Sequence, residues 1–403
     1  MTVTGDQWRG AIANLLQRTR RALPDDLAAD VAAAAPPGLD VRMYLVDQEQ
    51  RALHGVPRPD AELPEPLMVE STTAGRVFMT VEPLVSTAAG RPARLWMPLL
   101  DGTERLGVLE FIALSDLVFD DDVTFGCDLF GQLVGHLVAA KIPYGDALLK
   151  VKRTRRMSEA SELVWRLLPP LTFVCNTMTV SAILEPCYEV GGDGFDYAIN
   201  GPLLFFAIFD TAGHELRAGL GTAVVMSAIR AARRSGAGLY ALPRAADQAL
   251  EVHLPELRFT TAFLAELDLA SGRLRYINAG HPQPLLIRHG KVVRSLVGGR
   301  RMPLGLDDSQ IEIAEEMLER GDQLLLFTDG VTEARDRAGE PFGTERLIDL
   351  VQRNAGHLPA PETLRRLCHA ALSHYDGPPA DDATLLLVEW SQKAAAAMMP
   401  TTA

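Results

Sequence analysis

Positive charge is in short supply. The 403 residues carry 39 Lys and Arg against 52 Asp and Glu, a net charge of -13. That balance excludes a general nucleic-acid surface and an anionic-membrane surface, both of which reward a basic stripe. The one basic run, residues 150–156, is short. Cysteine is sparse too: Cys127, Cys175, Cys187 and Cys368 form neither a C-x-x-C pair nor a zinc-knuckle spacing. They read as reduced thiols, without disulfide, zinc or redox duty. No stretch stays apolar for the roughly eighteen residues of a membrane span. The N-terminus, with Asp6 and Arg9, lacks a basic segment followed by an apolar core, so a cytoplasmic protein is expected. There is no internal repeat, and the only biased tract is Ala-rich, 394–397. The length suits two domains of roughly 150–250 residues.

Apolar residues recur at helical spacing over about 7–23, and Pro24 interrupts them. Beyond Pro36-Pro37, short strand-like runs alternate with turns, an α/β pattern. The clearest element is a hairpin, with strands over 93–100 and 105–111 joined at Asp101-Gly102, a tight-turn dipeptide. Residues 120–141 read as an amphipathic helix. Residues 146–168 read as one continuous helix, which Pro169-Pro170 cannot extend. Its stripe of Met157, Ala160, Val164 and Leu167 reads either as a dimer seam or as a face packed on a neighbouring domain.

What the second half does have is acid in four short clusters: Asp193 and Asp196 after Gly191-Gly192, Asp210, Asp329 in Thr328-Asp329-Gly330, and Asp381-Asp382. Three adjoin apolar runs of strand length, 203–209, 324–327 and 385–388, so these carboxylates should emerge at strand ends. A carboxylate ending a buried strand is costly unless a cation or hydrogen bonds compensate it. Oxygen ligands gathered in this way suit magnesium or manganese. Each cluster alone also reads as a solvated turn or charged loop. Strands are further expected over 176–184, 260–268, 273–279 and 383–390, with a helix over 215–234.

Two resemblances follow from these residues. The first half, with the hairpin from Met97-Pro98-Leu99 through Asp101-Gly102 to Val108-Leu109-Glu110-Phe111, resembles a GAF sensory domain in pattern. That implies a small ligand of unknown identity, or a role as a dimerisation platform. The second half carries Glu189 through Asp196, Asp210-Thr211-Ala212-Gly213-His214, Asn278-Ala279-Gly280-His281-Pro282, Met302-Pro303-Leu304-Gly305, Thr328-Asp329-Gly330 and Asp381-Asp382-Ala383-Thr384. In this order the motifs resemble SpoIIE-like phosphatases, of the metal-dependent 2C (PPM) type. The resemblance covers about residues 170–390.

It implies an α-β-β-α sandwich holding two Mn2+ or Mg2+ ions. Carried over by motif, Asp193, Asp210, Asp329 and Asp381 are the metal ligands, with Asp210 bridging and the Thr211 carbonyl added. Asp210 and Asp329 rank as the catalytic pair, and Asp196 and Asp382 as supporting acids. The implied activity is hydrolysis of phosphoserine or phosphothreonine by metal-activated water. The leaving oxygen takes its proton from water, His214 or His281. The implied partner is a phosphoprotein, an anti-anti-sigma factor in a bacterial sigma-factor pathway. The pattern departs from the family at Glu215, where Gly is usual, and at Gly194, where an aromatic residue is. A catalytically weak or inactive binding module and a small-molecule phosphohydrolase are the alternatives. The expected layout is a sensory domain over 1–141, a helical linker over 142–170, a phosphatase domain over 171–392 and a disordered tail over 393–403.

Overall fold

The computed structural model describes residues 3–392 and 398, except 115, 186, 187, 190, 214, 258, 307, 309, 355–357, 376–380 and the side chain of Glu215. Cys187, His214 and, apart from residue 398, the expected tail therefore lie outside the described residues. The chain forms two compact units, Met1–Arg155 and Arg156–Ala396.

In the first unit the order is α1 (Gly5–Thr19), α2 (Leu27–Ala34), β1 (Leu39–Val46), β2 (Ala52–Gly55), β3 (Leu67–Met68), α3 (Thr73–Thr80), β4 (Leu84–Ser86), β5 (Arg94–Asp101), β6 (Glu104–Ala113), α4 (Asp121–Lys141) and α5 (Ala147–Lys152). The strands form one antiparallel sheet in the order β3-β2-β1-β6-β5-β4. Two-residue alternation sorts its side chains. Leu95, Met97 and Leu99 of β5 join Leu109 and Phe111 of β6 in the core under α1, α2 and α4. Trp96 and Val108 face the other way, onto α3. α1 starts at a capping box, Thr4 with Gln7, and α4 at Asp120, whose carboxylate accepts from the Val123 amide at 2.9 Å. The stretch Asp121–Tyr144 is long and apolar enough to cross a membrane. Half of it is buried, however, with Val123, Phe130, Val134 and Val138 inside this core. Cys127, Cys175 and Cys368 are free thiols.

The second unit runs α6 (Glu159–Leu167), β7 (Thr172–Cys175), β8 (Met178–Glu185), β9 (Asp193–Asn200), β10 (Leu203–Thr211), α7 (Glu215–Arg234), α8 (Leu242–His253), β11 (Thr260–Asp268), β12 (Arg273–Ala279), β13 (Leu285–Arg288), β14 (Lys291–Ser295), β15 (Arg300–Arg301), β16 (Ala314–Met317), β17 (Gln323–Phe327), α9 (Asp329–Thr332), α10 (Gly343–Asn354), α11 (Ala360–Leu372) and β18 (Ala383–Glu389). One sheet has the order β15-β12-β11-β10-β9, with β16 also on β12, and the other β14-β13-β17-β18-β8-β7.

Uninterrupted apolar strands arise because both sheets are covered on both faces. Leu204, Phe206 and Ile208 of β10 point between the sheets, against Leu324 and Leu326 of β17 and Leu386 and Val388 of β18. Phe205, Ala207 and Phe209 point outward to Val225, Met226 and Ile229 of α7. Leu325, Phe327, Leu385 and Leu387 point outward to Leu347, Leu364 and Leu367 of α10 and α11. The layers are therefore α-β-β-α. Each such fully buried Leu or Phe contributes about 1.5–3 kcal/mol.

The continuous helix expected over 146–168 is corrected. α5 ends at Lys152, and Ser158 starts α6 by accepting from the Ser161 amide at 3.1 Å. The dimer seam is corrected with it. Ala160 and Val164 are buried, Val164 against Leu184, while Ala160 lies where a Cβ on Gly219 of α7 would meet it. The stripe is consumed inside its own chain.

Candidate active site

The same alternation builds the site. On β10 the even positions that put Phe206 and Ile208 between the sheets put Asp210 there too, at the strand's end. Asp193 opens β9 opposite Asp210 in the antiparallel register and shares its face with Phe195, which is buried between the sheets. From the other sheet, Thr328 follows the inward Leu324 and Leu326, and Thr384 precedes the inward Leu386. Both threonine hydroxyls donate to Asp193 Oδ2, at 2.7 and 2.6 Å. A carboxylate only 2% exposed is thus carried by two hydrogen bonds across the gap between the sheets. Sequence reasoning passed over Thr328 and Thr384. Their signal was a threonine one residue before, or two after, an acid at a strand end.

Asp382 is equally buried and turns its Oδ2 to the amides of Gly191, Gly192 and Asp193 at 2.6, 2.9 and 3.3 Å. It shapes the loop that delivers Asp193. Two glycines permit the approach. A Cβ on Gly192 would stand 2.3 Å from the Thr211 carbonyl oxygen, and one on Gly330 would stand 1.9 Å from that of Asp382. The Thr211 amide donates to the Gly192 carbonyl at 3.1 Å. The Thr211 hydroxyl meets those of Thr222 and Thr260 at 2.8 and 2.9 Å, which fixes the turn after Asp210.

Asp196 does not join this group. Three residues beyond Asp193, it lies on the outer face of β9, where Arg230 grips it through two nitrogens at 2.7 and 3.1 Å and Arg233 adds a contact at 3.4 Å. Its reading as a supporting acid is corrected by strand parity alone.

The remaining carboxylates are neighbours through their charge. Burial, then the charges of Asp329, Asp381 and Asp382, push Asp210 up to about 7. Burial, then Asp382 and Asp210, push Asp193 well above the carboxylate range. Asp329 is raised by burial and by Asp381 and Glu333, and Asp381 by partial burial and Glu333. Burial raises Asp382 to about 7 against the three amides that favour its charge. Such mutual repulsion is what a divalent cation relieves, and the donors are all oxygen, the chemistry that magnesium and manganese prefer. Among the described residues no three acidic, histidine or cysteine side chains are grouped as a ready metal shell. The fit rests on donor type and shared charge.

His281 is not poised to give a proton. It is buried, its Nδ1 is 2.8 Å from the Thr261 hydroxyl, and its amide donates to Asn278 Oδ1 at 2.8 Å. Burial lowers the ring to about 3, with only the Phe327 carbonyl opposing. Thr261 pairs with Asp210 in the sheet, and Phe327 leads into Thr328 and Asp329. The ring therefore stands between the two sheets as a neutral strut.

Residues 201–391 match the family described as Stage II sporulation protein E (SpoIIE). The chain is 24% identical over 338 residues to protein IcfG of Synechocystis, covering 72% of this chain and 51% of that one. It is 23% identical over 216 residues to the phosphoserine phosphatase RsbU of Bacillus subtilis, covering 53% and 63%. A solved structure of RsbU and RsbW domains from Mycobacterium tuberculosis aligns at 25% identity and a TM-score of 0.49, covering 55% of this chain and 62% of that one. The chain thus spans between half and two thirds of the length of these relatives. The family match lies wholly within the second unit.

Proposed function

We propose that the second unit is a metal-dependent serine/threonine protein phosphatase. The observation that carries this reading is the gathering of acids from four separate segments at one end of the space between the sheets, inside a SpoIIE-family domain. Asp193, Asp210, Asp329 and Asp381, with the Thr211 carbonyl, would hold two Mn2+ or Mg2+ ions. When bound, such ions supply an activated water and neutralise charge on the phosphoryl group.

The chain's own residues do the positioning. Thr328 and Thr384 orient Asp193, leaving its second oxygen for a cation. Asp382 holds the Gly191-Gly192 turn through three amides. His281 braces the sheet bearing Asp210 against the strand that leads to Asp329. Water or His214, not His281, then protonates the leaving serine or threonine oxygen.

The substrate class we infer is a phosphoserine protein of the anti-anti-sigma type in a sigma-factor pathway. RsbU, a named phosphoserine phosphatase, supports this reading by similarity. The first unit, an antiparallel sheet with helices on both faces, supports a GAF-like sensory role. One observation favours a second reading, a catalytically weak binding module: Glu215 stands where the family pattern has Gly. Turnover of a phosphoserine protein and of a nucleotide panel, each with manganese, decides. Release of phosphate from the protein alone supports the proposal. Preference for nucleotides points to a small-molecule phosphohydrolase, and no release from either points to the binding module.

A further inference from the structure

Arg300 of β15 departs from the arginines around it. Arg273 and Arg275 of β12, Arg294 of β14 and Arg301 of β15 each pair with an acid, respectively Glu315, Glu266, Glu316 and Asp247. Arg300 is exposed, its Nε donates to the Val297 carbonyl at 3.1 Å, and no carboxylate among the described residues pairs with it. Asp308, on the loop that follows, is taken up by the amides of Met302 and Gln310 at 2.7 and 2.9 Å.

Register fixes which way Arg300 faces. It pairs with Asn278 in the parallel ladder of β12 and β15, and Arg301 pairs with Ala279. Ala279 packs in the outer layer, and Arg301 grips Asp247 of α8 there at 3.0 and 3.2 Å. By alternation Arg300 is on the inner side with Tyr276, the face that also carries Asp210. The backbone is held on both sides of it, because the Asn278 amide donates to the Gly299 carbonyl at 2.7 Å and Asp308 holds the Met302 amide. Met302, 51% exposed, continues the same face toward the strand ends, and Val297 beside it is 59% exposed. Asn278 is level with Phe263 and Ile208. Arg300 therefore stands three strand spacings from β10 and two residues short of Asp210, about 16 Å away at roughly 4.8 Å per strand and 3.3 Å per residue. An extended chain covers that distance in about five residues, and the arginine side chain shortens it.

Resting on the phosphatase reading, we propose that Arg300 is a specificity residue for the phosphoprotein: it pairs with an acidic side chain about three to five residues from the phosphoserine. Met302 and Val297 supply apolar contact beside the pair, and exposed Arg with Met is a composition that protein interfaces favour. The acid cluster and the net charge of -13 would repel an acidic flank. A fixed, unpaired cation on the same face selects for one.

The test uses the full-length protein with manganese and a set of phosphoserine peptides on an Ala and Ser background. Each peptide carries one Asp, one Lys or neither, placed three, four or five residues to either side of the phosphoserine. At one of these positions Asp should lower KM about three- to fivefold, the range of an exposed ion pair, with kcat little changed and the preference fading as salt rises. Arg300→Ala should bring the Asp peptide to the KM of the neutral one. Arg300→Glu should move the preference to Lys at the same position, a reversal that a loss of folding cannot produce. Wild type that hydrolyses all the peptides without a charge preference, or a preference for Asp that survives in both variants, would overturn this proposal alone. Failure to hydrolyse any of the peptides would overturn the phosphatase reading, and this proposal with it.

Discussion

Replacing Asp210 by Asn should stabilise the metal-free protein while abolishing metal-dependent turnover, two effects with one origin. In the folded chain, burial and the charges of Asp329, Asp381 and Asp382 lift Asp210 from 3.8 to about 7. At roughly 1.36 kcal/mol per unit, keeping Asp210 ionised in the fold costs up to about 4 kcal/mol. Asp193 and Asp382 share the same repulsion. Protons redistribute among coupled groups, so a gain of about 2 kcal/mol is expected for Asp210→Asn. At roughly 2–4 °C per kcal/mol for a domain of this size, the melting temperature rises by about 4–8 °C.

The pH dependence has a fixed sign. A carboxyl whose folded pKa is raised contributes stability that is present below about pH 4 and lost as pH rises through about 7. Wild type and Asp210→Asn should therefore melt alike near pH 4 and separate toward pH 8, with chelator present. Saturating manganese should reverse the order, because binding at 100 times Kd adds about 2.7 kcal/mol to the protein that keeps its ligands. Calorimetric melts at several pH values, with chelator and with manganese, test this directly. A chelated mutant that melts below wild type at pH 8, or a gap independent of pH, would refute the reasoning.

Asp196→Asn should leave turnover within about threefold while lowering stability by about 3 kcal/mol, since it strands Arg230 and Arg233 on the outer face; paired melting and rate measurements check it. Gly192→Ala forces a Cβ toward the Thr211 carbonyl and should cut turnover at least tenfold, checked by steady-state rates with manganese. Thr384→Val removes a hydrogen bond to the buried Asp193. It should cost about 1.5–3 kcal/mol and raise the manganese concentration needed for half-maximal rate, which a metal titration measures. Because His281 is held neutral, the shape of the pH–rate profile should survive His281→Asn even where the protein melts earlier.

Much of the sandwich was legible because its strands are buried on both faces. Residues 203–209 and 324–327 are apolar without a break, and the strands over 260–268 and 273–279 fall where expected. The hairpin of β5 and β6 was legible from Asp101-Gly102 and its flanking alternation. β9 was hidden because Gly191-Gly192-Asp193-Gly194 has the composition of a turn, and only pairing with β10 makes a strand of it. The break between α5 and α6 had a local signal, Ser158 followed by Glu159 and Glu162, an N-cap with an acidic first turn. Helical spacing across 146–168 masked it. Within the site, acids at strand ends could be read from the chain, whereas the two threonine hydroxyls and the outward turn of Asp196 depend on which residues share a face. That follows from register across the two sheets.

The measurement that tests the account most directly is hydrolysis of a chromogenic phosphate ester by the full-length protein, with manganese, with magnesium and with chelator, beside Asp210→Asn. The account predicts turnover with a divalent cation that chelator stops and that the mutant lacks, although the mutant is folded. Turnover that persists in chelator, or in Asp210→Asn at the wild-type rate, would contradict it.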